Sequence, residues 1–197
     1  MNSSPFLSIV APAYNESEAL ELFFERLTPI LESTGLEYEI VCVNDGSRDN
    51  TFELLCELRH HYPALKVVDL SRNFGKEPAL TAGLDICKGD IVIPIDVDRQ
   101  DPPELIPQMI EKWREGFDVV LGVRADRSTD SMMKRLTATG FYSLFSRISQ
   151  VDMPSNAGDF RLMDRRVVEA LKRLPERTRF MKGLFAWLGF KTTSIEF

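Results

Sequence analysis

The sequence predicts an α/β fold, a mostly parallel central sheet covered by helices, in a chain of 197 residues. Three observations predict it. Short runs rich in Val, Ile and Leu recur along the first 123 residues. These runs lack strict apolar–polar alternation, as suits strands buried on both faces. Amphipathic stretches of roughly 10–20 residues separate them, the spacing of βαβ units.

Each element can be justified in turn. Leu7–Ala11 is the first strand-like run. Ser17–Glu32 follows, with Leu20, Phe23, Phe24, Leu27 and Leu31 at helical spacing behind an Asn15-x-x-Glu18 capping pattern. Tyr38–Val43 leads to the helical stretch Thr51–His61, and Lys66–Leu70 leads to Pro78–Cys87. Ile91–Ile95 leads to Pro103–Arg114, which carries proline in its first turn, where the missing N–H costs nothing. Asp118–Val123 closes this half. Beyond it, Ser131–Ile148 reads as one long helix and Arg161–Met163 as a short strand. Arg165–Leu174 and Arg179–Leu188 read as helices on either side of Pro175. The chain stops in strand-like sequence at Thr192–Phe197, and the expectation is that more chain follows in the native protein. No repeat or low-complexity linker interrupts it, so the simplest division is a single domain, 1–197, with halves 1–123 and 124–197.

Composition narrows the function classes. Hydrophobic residues at 44% and charged residues at 27% describe an ordinary globular chain, which sets aside disorder and fibres. The net charge of −6 argues against general nucleic-acid binding, which leaves a basic footprint. That mean hides a split. Residues 1–120 carry 10 Lys and Arg against 22 Asp and Glu, net −12, and residues 121–197 carry 14 against 8, net +6. Two unlike halves suggest two kinds of partner; charges scattered over a solvated surface are the plain alternative. Cys42, Cys56 and Cys87 form neither a C-x-x-C pair nor a Cys/His zinc pattern, and read as reduced thiols in a cytosolic setting. His60 and His61 are adjacent, so both rings cannot share one helix face. No run of 18 apolar residues exists to span a membrane.

In open parallel sheets ligands bind outside the carboxyl ends of the strands, and the polar motifs sit there. The first strand is followed by Pro12-Ala-Tyr-Asn-Glu16, the second by Asn44-Asp-Gly-Ser-Arg-Asp-Asn50, the third by Ser71-Arg-Asn-Phe-Gly-Lys76. The fourth is followed by Asp96-Val-Asp-Arg-Gln-Asp-Pro-Pro103. In extended backbone Asp96 and Asp98 point to the same side, and two carboxylates there repel unless a cation lies between them. Mg²⁺ and Mn²⁺ take oxygen ligands and share them with substrate phosphates, so the pair reads as a metal–diphosphate clamp, with Gln100 a further donor. The alternative is a solvated acidic loop with Asp101 capping the next helix. Asp45 could accept hydrogen bonds from a base or ribose, or simply make an Asp-Gly turn. Gly75 and Lys76 offer close backbone approach and a cation for phosphate, or a helix start with a solvated lysine. No G-x-G-x-x-G, P-loop or nucleophile elbow is present, so dehydrogenase, P-loop and hydrolase readings lose their main support.

The series Val10-Ala-Pro-Ala-Tyr-Asn-Glu16, Val43-Asn-Asp-Gly-Ser47, Arg72-Asn-Phe-Gly-Lys76 and Asp96-Val-Asp-Arg-Gln-Asp-Pro-Pro-Glu104 resembles the family 2 glycosyltransferases with the GT-A fold. Within that family the likeness is to the polyprenyl-phosphate glycosyltransferases, a group that includes dolichyl-phosphate mannose synthase. Gly158–Asp164 and Leu174–Trp187 look most like its bactoprenol glucosyltransferase branch. The resemblance covers essentially the whole chain. It implies a Rossmann-like nucleotide-binding half plus an acceptor-side elaboration, and two C-terminal transmembrane helices that this chain lacks. It further implies that Pro12, Ala13, Tyr14 and Glu16 form a nucleotide-binding loop, that Asp45 contacts the base, and that Asp96, Asp98 and Gln100 hold the metal and diphosphate, with Val97 in the same segment. Arg124 is implied to face the acceptor phosphate, with Lys134 or Arg135 as a second such residue, and Asp159 to lie near the reacting sugar. Arg99 departs from the pattern, where a neutral residue is expected; its side chain should point away from the metal.

The implied activity is inverting transfer of a sugar, glucose first among candidates, from a UDP-sugar to polyprenyl (undecaprenyl) phosphate. The implied cofactor is Mg²⁺ or Mn²⁺, and the implied place is the cytoplasmic face of the plasma membrane, with this fragment itself soluble and a homo-oligomer left open. Arg161, Arg165, Arg166, Arg173, Arg177, Arg179 and Lys182 crowd the basic half, which is expected to face anionic membrane or acceptor, Arg161 with the acceptor phosphate. The rival readings are a transferase with another nucleotide-sugar or a glycan acceptor, a sugar-1-phosphate nucleotidyltransferase, and a non-catalytic subunit of a membrane complex. The missing Q-x-x-R-W argues against a polymer synthase. A nucleotidyltransferase needs a Gly-rich basic signature after the first strand, where Asn15-Glu16 stands instead. Intact Asp96, Asp98 and Asp159 speak against an inactive subunit.

Overall fold

The computed structural model describes residues 4–98, 101–124, 157–174 and 189–197, with backbone alone at 157–159. Seven strands form one sheet: β1 (Leu7–Ala13), β2 (Tyr38–Asn44), β3 (Leu65–Asp69), β4 (Ile91–Pro94), β5 (Val119–Val123), β6 (Ala157–Asp164) and β7 (Thr192–Glu196). Their spatial order is β3-β2-β1-β4-β6-β5-β7. β1 pairs in parallel with both β2 and β4, β2 with β3, and β5 with β7. β6 runs antiparallel between β4 and β5. The chain therefore winds outward from β1 to β3 and returns to the other side of β1 at β4. That reversal opens a crevice at the carboxyl ends of β1 and β4.

Helices α1 (Leu20–Ser33), α2 (Thr51–His61), α3 (Lys76–Ile86), α4 (Ile106–Arg114) and α5 (Arg165–Lys172) cover the sheet. Strand side chains alternate between two cores. Leu7, Ile9, Ile40, Ile91 and Ile93 pack with Phe24, Leu27 and Leu55 of α1 and α2 and with Ile106 and Met109 of α4. Val10, Val41, Val43 and Val92 pack with Ala79 and Leu84 of α3 and with Val167 and Leu171 of α5. Burial on both faces is why the strand sequences show no apolar–polar alternation.

Several boundaries differ from the sequence reading; Pro103–Leu105 is a 3-10 turn and α4 begins only at Ile106. The Asn15-x-x-Glu18 cap is not used: α1 starts behind Ala19, which makes no side-chain cap bond. Asn15 instead sits at φ 56, and its carboxamide accepts the Arg48 N–H at 2.8 Å. Asn is among the few non-glycine residues that tolerate this region. α3 starts at Lys76 rather than Pro78, because Gly75 at φ 98 ends the loop and proline is accepted within a first turn. β6 is longer than Arg161–Met163. Ser131–Ile148 and Arg179–Leu188 lie outside the described residues. Among the described residues no helix is long and apolar enough to cross a membrane. Cys42, Cys56 and Cys87 are free thiols; burial pushes the Cys42 thiol up to about 12.

Candidate active site

A cleft of about 260 Å³ occupies the crevice at the carboxyl edge of the sheet. Pro12, Ala13, Tyr14 and Glu16 form one wall, continuing from β1. Asp45 from the end of β2, Asn73 and Gly75 from the β3–α3 turn, and Lys76 and Ala79 from the start of α3 form another. Asp96, Val97 and Asp98 close it from the end of β4. The sequence motifs scattered between Pro12 and Asp98 thus converge on one cavity, because parallel strands present all their carboxyl ends on the same edge.

The loops that carry these residues are laced to one another. The Asn15 N–H donates to the Ser47 hydroxyl at 3.0 Å, the Glu16 N–H to the Thr51 hydroxyl at 2.9 Å, and the Ser17 N–H to Asp49 at 3.2 Å. Asp45 is 2% exposed, and its carboxylate accepts the N–H groups of Phe74 and Gly75 at 2.8 and 2.9 Å. It therefore fixes the turn that presents Lys76. Gly46, at φ 61, follows it for a reason: a Cβ there would lie 2.3 Å from the Arg72 carbonyl carbon. The Asp96 N–H donates to the Asp101 carboxylate at 3.1 Å, which holds the loop after β4.

Negative charge accumulates on the β4 side. Burial raises the Glu16 carboxyl above its ordinary value, and the charges of Asp98, Asp96 and Asp49 add to the shift. Burial pushes Asp101 up to about 6, reinforced by Asp96 and Asp98 and opposed by the Asp96 N–H and by Lys76. The Lys76 ammonium donates to Asp96 at 2.6 Å. Val97 is 2% exposed and packs against the core, while Asp96 and Asp98 on either side of it line the cleft.

These donors fit a hard divalent cation shared with a ligand. Among the described residues no three Asp, Glu, His or Cys side chains form a ready-made cage. Mg²⁺ and Mn²⁺ do not need one: they are held by one or two carboxylates completed by phosphate oxygens and water. Asp96 and Asp98 would supply those carboxylates, and their repulsion of Glu16 is what a cation would relieve.

The remaining residues singled out in the sequence fall as follows. Gln100, Lys134 and Arg135 lie outside the described residues, as does Arg99. Arg124 is exposed just past β5. β4 and β5 are both antiparallel to β6, so Arg124 is at the same sheet edge as Asp96. Asp159 is in the amino-terminal part of β6, at that edge too; its side chain is outside the described set. Arg161 is 3% exposed within β6 and is not among the residues that line the cleft. Arg165 and Arg166 stand at the opposite edge, where Arg165 donates to the Gly89 carbonyl at 2.7 Å and Arg166 pairs with Asp118 at 2.7 Å and Asp164 at 3.0 Å. Two of the basic residues expected to face a partner are thus engaged within the fold. Sequence reasoning missed Asn73 and Ala79 in the cleft wall, and the lacing role of Asp49 and Thr51. Asp49-Asn-Thr51 at a helix start was the available signal for the latter.

Comparison with known proteins bears on the family and on the fold. The family model described as Glycosyl transferase family 2 matches residues 8–172. The chain is 53% identical over 191 residues to an uncharacterized glycosyltransferase of Synechocystis sp., covering 97% of this chain and 60% of that protein. It is 50% identical to the bactoprenol glucosyl transferase of Shigella phage SfV, covering 97% of this chain and 62% of that protein. It therefore spans about three fifths of the length of these relatives. Among solved structures it is similar to a mannosyltransferase from Pyrobaculum calidifontis in complex with GDP-Man and Mn²⁺, with TM-score 0.68, 19% identity, 99% of this chain and 56% of that one covered. It is also similar to glucosyl-3-phosphoglycerate synthase from Mycobacterium tuberculosis in complex with Mn²⁺, UDP and glucosyl-3-phosphoglycerate, with TM-score 0.67, 21% identity, 98% of this chain and 70% of that one covered. The fold is GT-A.

Proposed function

Since the chain belongs to glycosyl transferase family 2, we propose that it transfers a glucosyl group from UDP-glucose to a polyprenyl phosphate at a membrane surface, with Mg²⁺ or Mn²⁺. The observation that carries the proposal is the convergence of Asp96 and Asp98 with Asp45 and Lys76 in one cleft at the strand-order reversal. The likeness to bactoprenol glucosyl transferases supports glucose and the polyprenyl acceptor. Neighbours solved with Mn²⁺ and a nucleotide support the cofactor.

In this reading Tyr14 and Asp45 bound the nucleoside end of the cleft, and Lys76, at the positive amino terminus of α3, faces the diphosphate. Asp96 and Asp98 hold the cation, with Gln100 the further donor expected from the sequence. That cation, when bound, neutralises the charge that grows on the leaving diphosphate. Arg124 orients the acceptor phosphate, joined by Lys134 and Arg135. The acceptor is a phosphomonoester whose second pKa is about 6, so at neutral pH it is largely dianionic and attacks without surrendering a proton. Asp159 is then an orienting group for the acceptor or the sugar hydroxyls, not an obligatory base. The antiparallel β4–β6 pairing, in which Ile91 faces Asp164 and Val92 faces Met163, puts the amino-terminal end of β6 at the same sheet edge as Asp96.

Turnover of UDP-glucose with a short-chain polyprenyl phosphate tests the reading. Release of UDP only in the presence of both acceptor and divalent cation is expected, as is measurable residual turnover in Asp159→Asn. Transfer to a glycan but not to the lipid phosphate would replace the acceptor. Complete loss of turnover in Asp159→Asn with both substrates still bound would make Asp159 the proton acceptor.

A further inference from the structure

We propose that Asn15 is a positioning residue for the nucleoside: its left-handed backbone, latched to the β2–α2 loop, aims Tyr14 at the base of the bound nucleotide. The inference rests on the donor-site reading above and gives a role to a residue that does not itself line the cleft. Among the described residues Asn15 is the only one besides glycine with a positive φ, at 56. That region is costly for a residue with a Cβ, and it persists only where the surroundings over-determine it. Here they do. The Asn15 N–H donates to the Ser47 hydroxyl at 3.0 Å, and the Asn15 carboxamide oxygen accepts the Arg48 N–H at 2.8 Å. The next N–H along, that of Glu16, donates to the Thr51 hydroxyl at 2.9 Å.

The latch stands where the chain leaves the sheet. The β1–β2 ladder ends at Ala13, whose carbonyl accepts the Asp45 N–H at 2.9 Å. Tyr14 and Glu16, on either side of Asn15, both line the cleft. The Tyr14 side chain is 39% exposed and makes no hydrogen bond or ring contact with another described residue. With no such contact to hold the ring, its direction is inherited from the backbone between the end of the ladder and the latch. Glycine at 15 would reach the same φ freely but would lose the carboxamide; alanine would lose the carboxamide and resist the φ as well. Asparagine supplies both. A ring set in place before the nucleotide arrives spares the ordering cost that binding would otherwise carry.

The test separates the two ends of the nucleotide. Calorimetry measures affinity for UDP and for inorganic pyrophosphate, both with Mn²⁺, in the wild-type chain, Asn15→Gly, Asn15→Ala, Ser47→Ala, Tyr14→Ala and the double variant of Tyr14→Ala with Asn15→Ala. Fluorine NMR of chains labelled with 3-fluorotyrosine follows the Tyr14 ring, its resonance assigned by its loss in Tyr14→Phe. Asn15→Ala should bind UDP about tenfold more weakly, the fold-change that one strained backbone position amounts to. Asn15→Gly and Ser47→Ala, which each give up one hydrogen bond, should lose about threefold. Pyrophosphate affinity should not change, and the Tyr14 resonance should shift in Asn15→Ala. In the Tyr14→Ala background Asn15→Ala should cost nothing further, as expected of residues that act as a unit. An equal fall in UDP and pyrophosphate affinity overturns the proposal, as does full additivity with Tyr14→Ala. A lower thermal midpoint in Asn15→Ala with UDP affinity and the Tyr14 resonance unchanged would make Asn15 a merely structural latch and overturns it too. If the wild-type chain binds no UDP, the donor-site reading itself fails, and the Tyr14 resonance alone decides whether Asn15 positions the ring.

Discussion

The two edges of the sheet both gather carboxylates, but they treat them in opposite ways. At the amino edge, Glu39 is 2% exposed and fully occupied by the chain. It accepts the Ser8 hydroxyl at 2.6 Å, the Lys88 N–H at 2.6 Å and the Lys66 ammonium. The Ser8 hydroxyl in turn accepts the Gly89 N–H at 2.7 Å. Burial pushes the Glu39 carboxyl upward, yet these hydrogen bonds outweigh burial and its net shift is downward. At the carboxyl edge, Glu16 and Asp101 shift upward, because burial is joined there by neighbouring carboxylates. A carboxylate satisfied by its own chain stabilises a fold. Carboxylates set against one another around a cleft would be relieved by a cation that comes from outside.

The sharpest way to break this comparison is to remove one charge from each edge. Asp98→Asn should lower kcat/KM by about 10²–10³-fold, the scale of losing one transition-state electrostatic contact, while leaving the thermal midpoint unchanged. An equal loss of stability would move Asp98 into the structural class. Glu39→Ala should do the reverse. It strands Ser8, Lys66 and the Lys88 N–H and should cost about 2–4 kcal/mol in urea denaturation. UDP affinity of the folded fraction should not change, and a parallel fall in that affinity would mean that the two edges are not independent.

The smallest effect lies between them, in the loop lacing. Burial raises the Asp49 carboxyl, but hydrogen bonds from the Thr51 hydroxyl, the Ser17 N–H and the Thr51 N–H bring it down to about 2. A depressed carboxyl contributes stability above its unfolded value of 3.8, and that contribution fades as pH falls toward 2. Asp49→Asn should thus be less stable than wild type at pH 6, and the gap should narrow as pH falls through 4 to 3. A gap that stays constant with pH would place the effect in packing rather than in charge.

Much of this protein was legible in its residues. The double-sided burial of the strands, the helical spacing of Leu20, Phe23, Phe24, Leu27 and Leu31, and the pairing of Asp96 with Asp98 are local patterns. Periods of two and of 3.6 are properties of neighbouring residues, so the chain displays them before it folds. The cleft residues Pro12, Tyr14, Asp45 and Lys76 were also readable, since parallel strands always bring their carboxyl ends together. What the sequence could not display depends on contacts between distant segments. That Asn15 would cap the β2–α2 loop rather than its own helix was decided by Arg48, and that Asp45 would hold a turn was decided by Phe74 and Gly75. The antiparallel insertion of β6 and the burial of Arg161 within it were set by β4 and β5, because strand direction is a matter of partners and not of composition. The Lys76–Asp96 pair joins residues 20 positions apart. Only the reversal of strand order at β1, which lays the end of β4 beside the start of α3, puts the ammonium against the carboxylate.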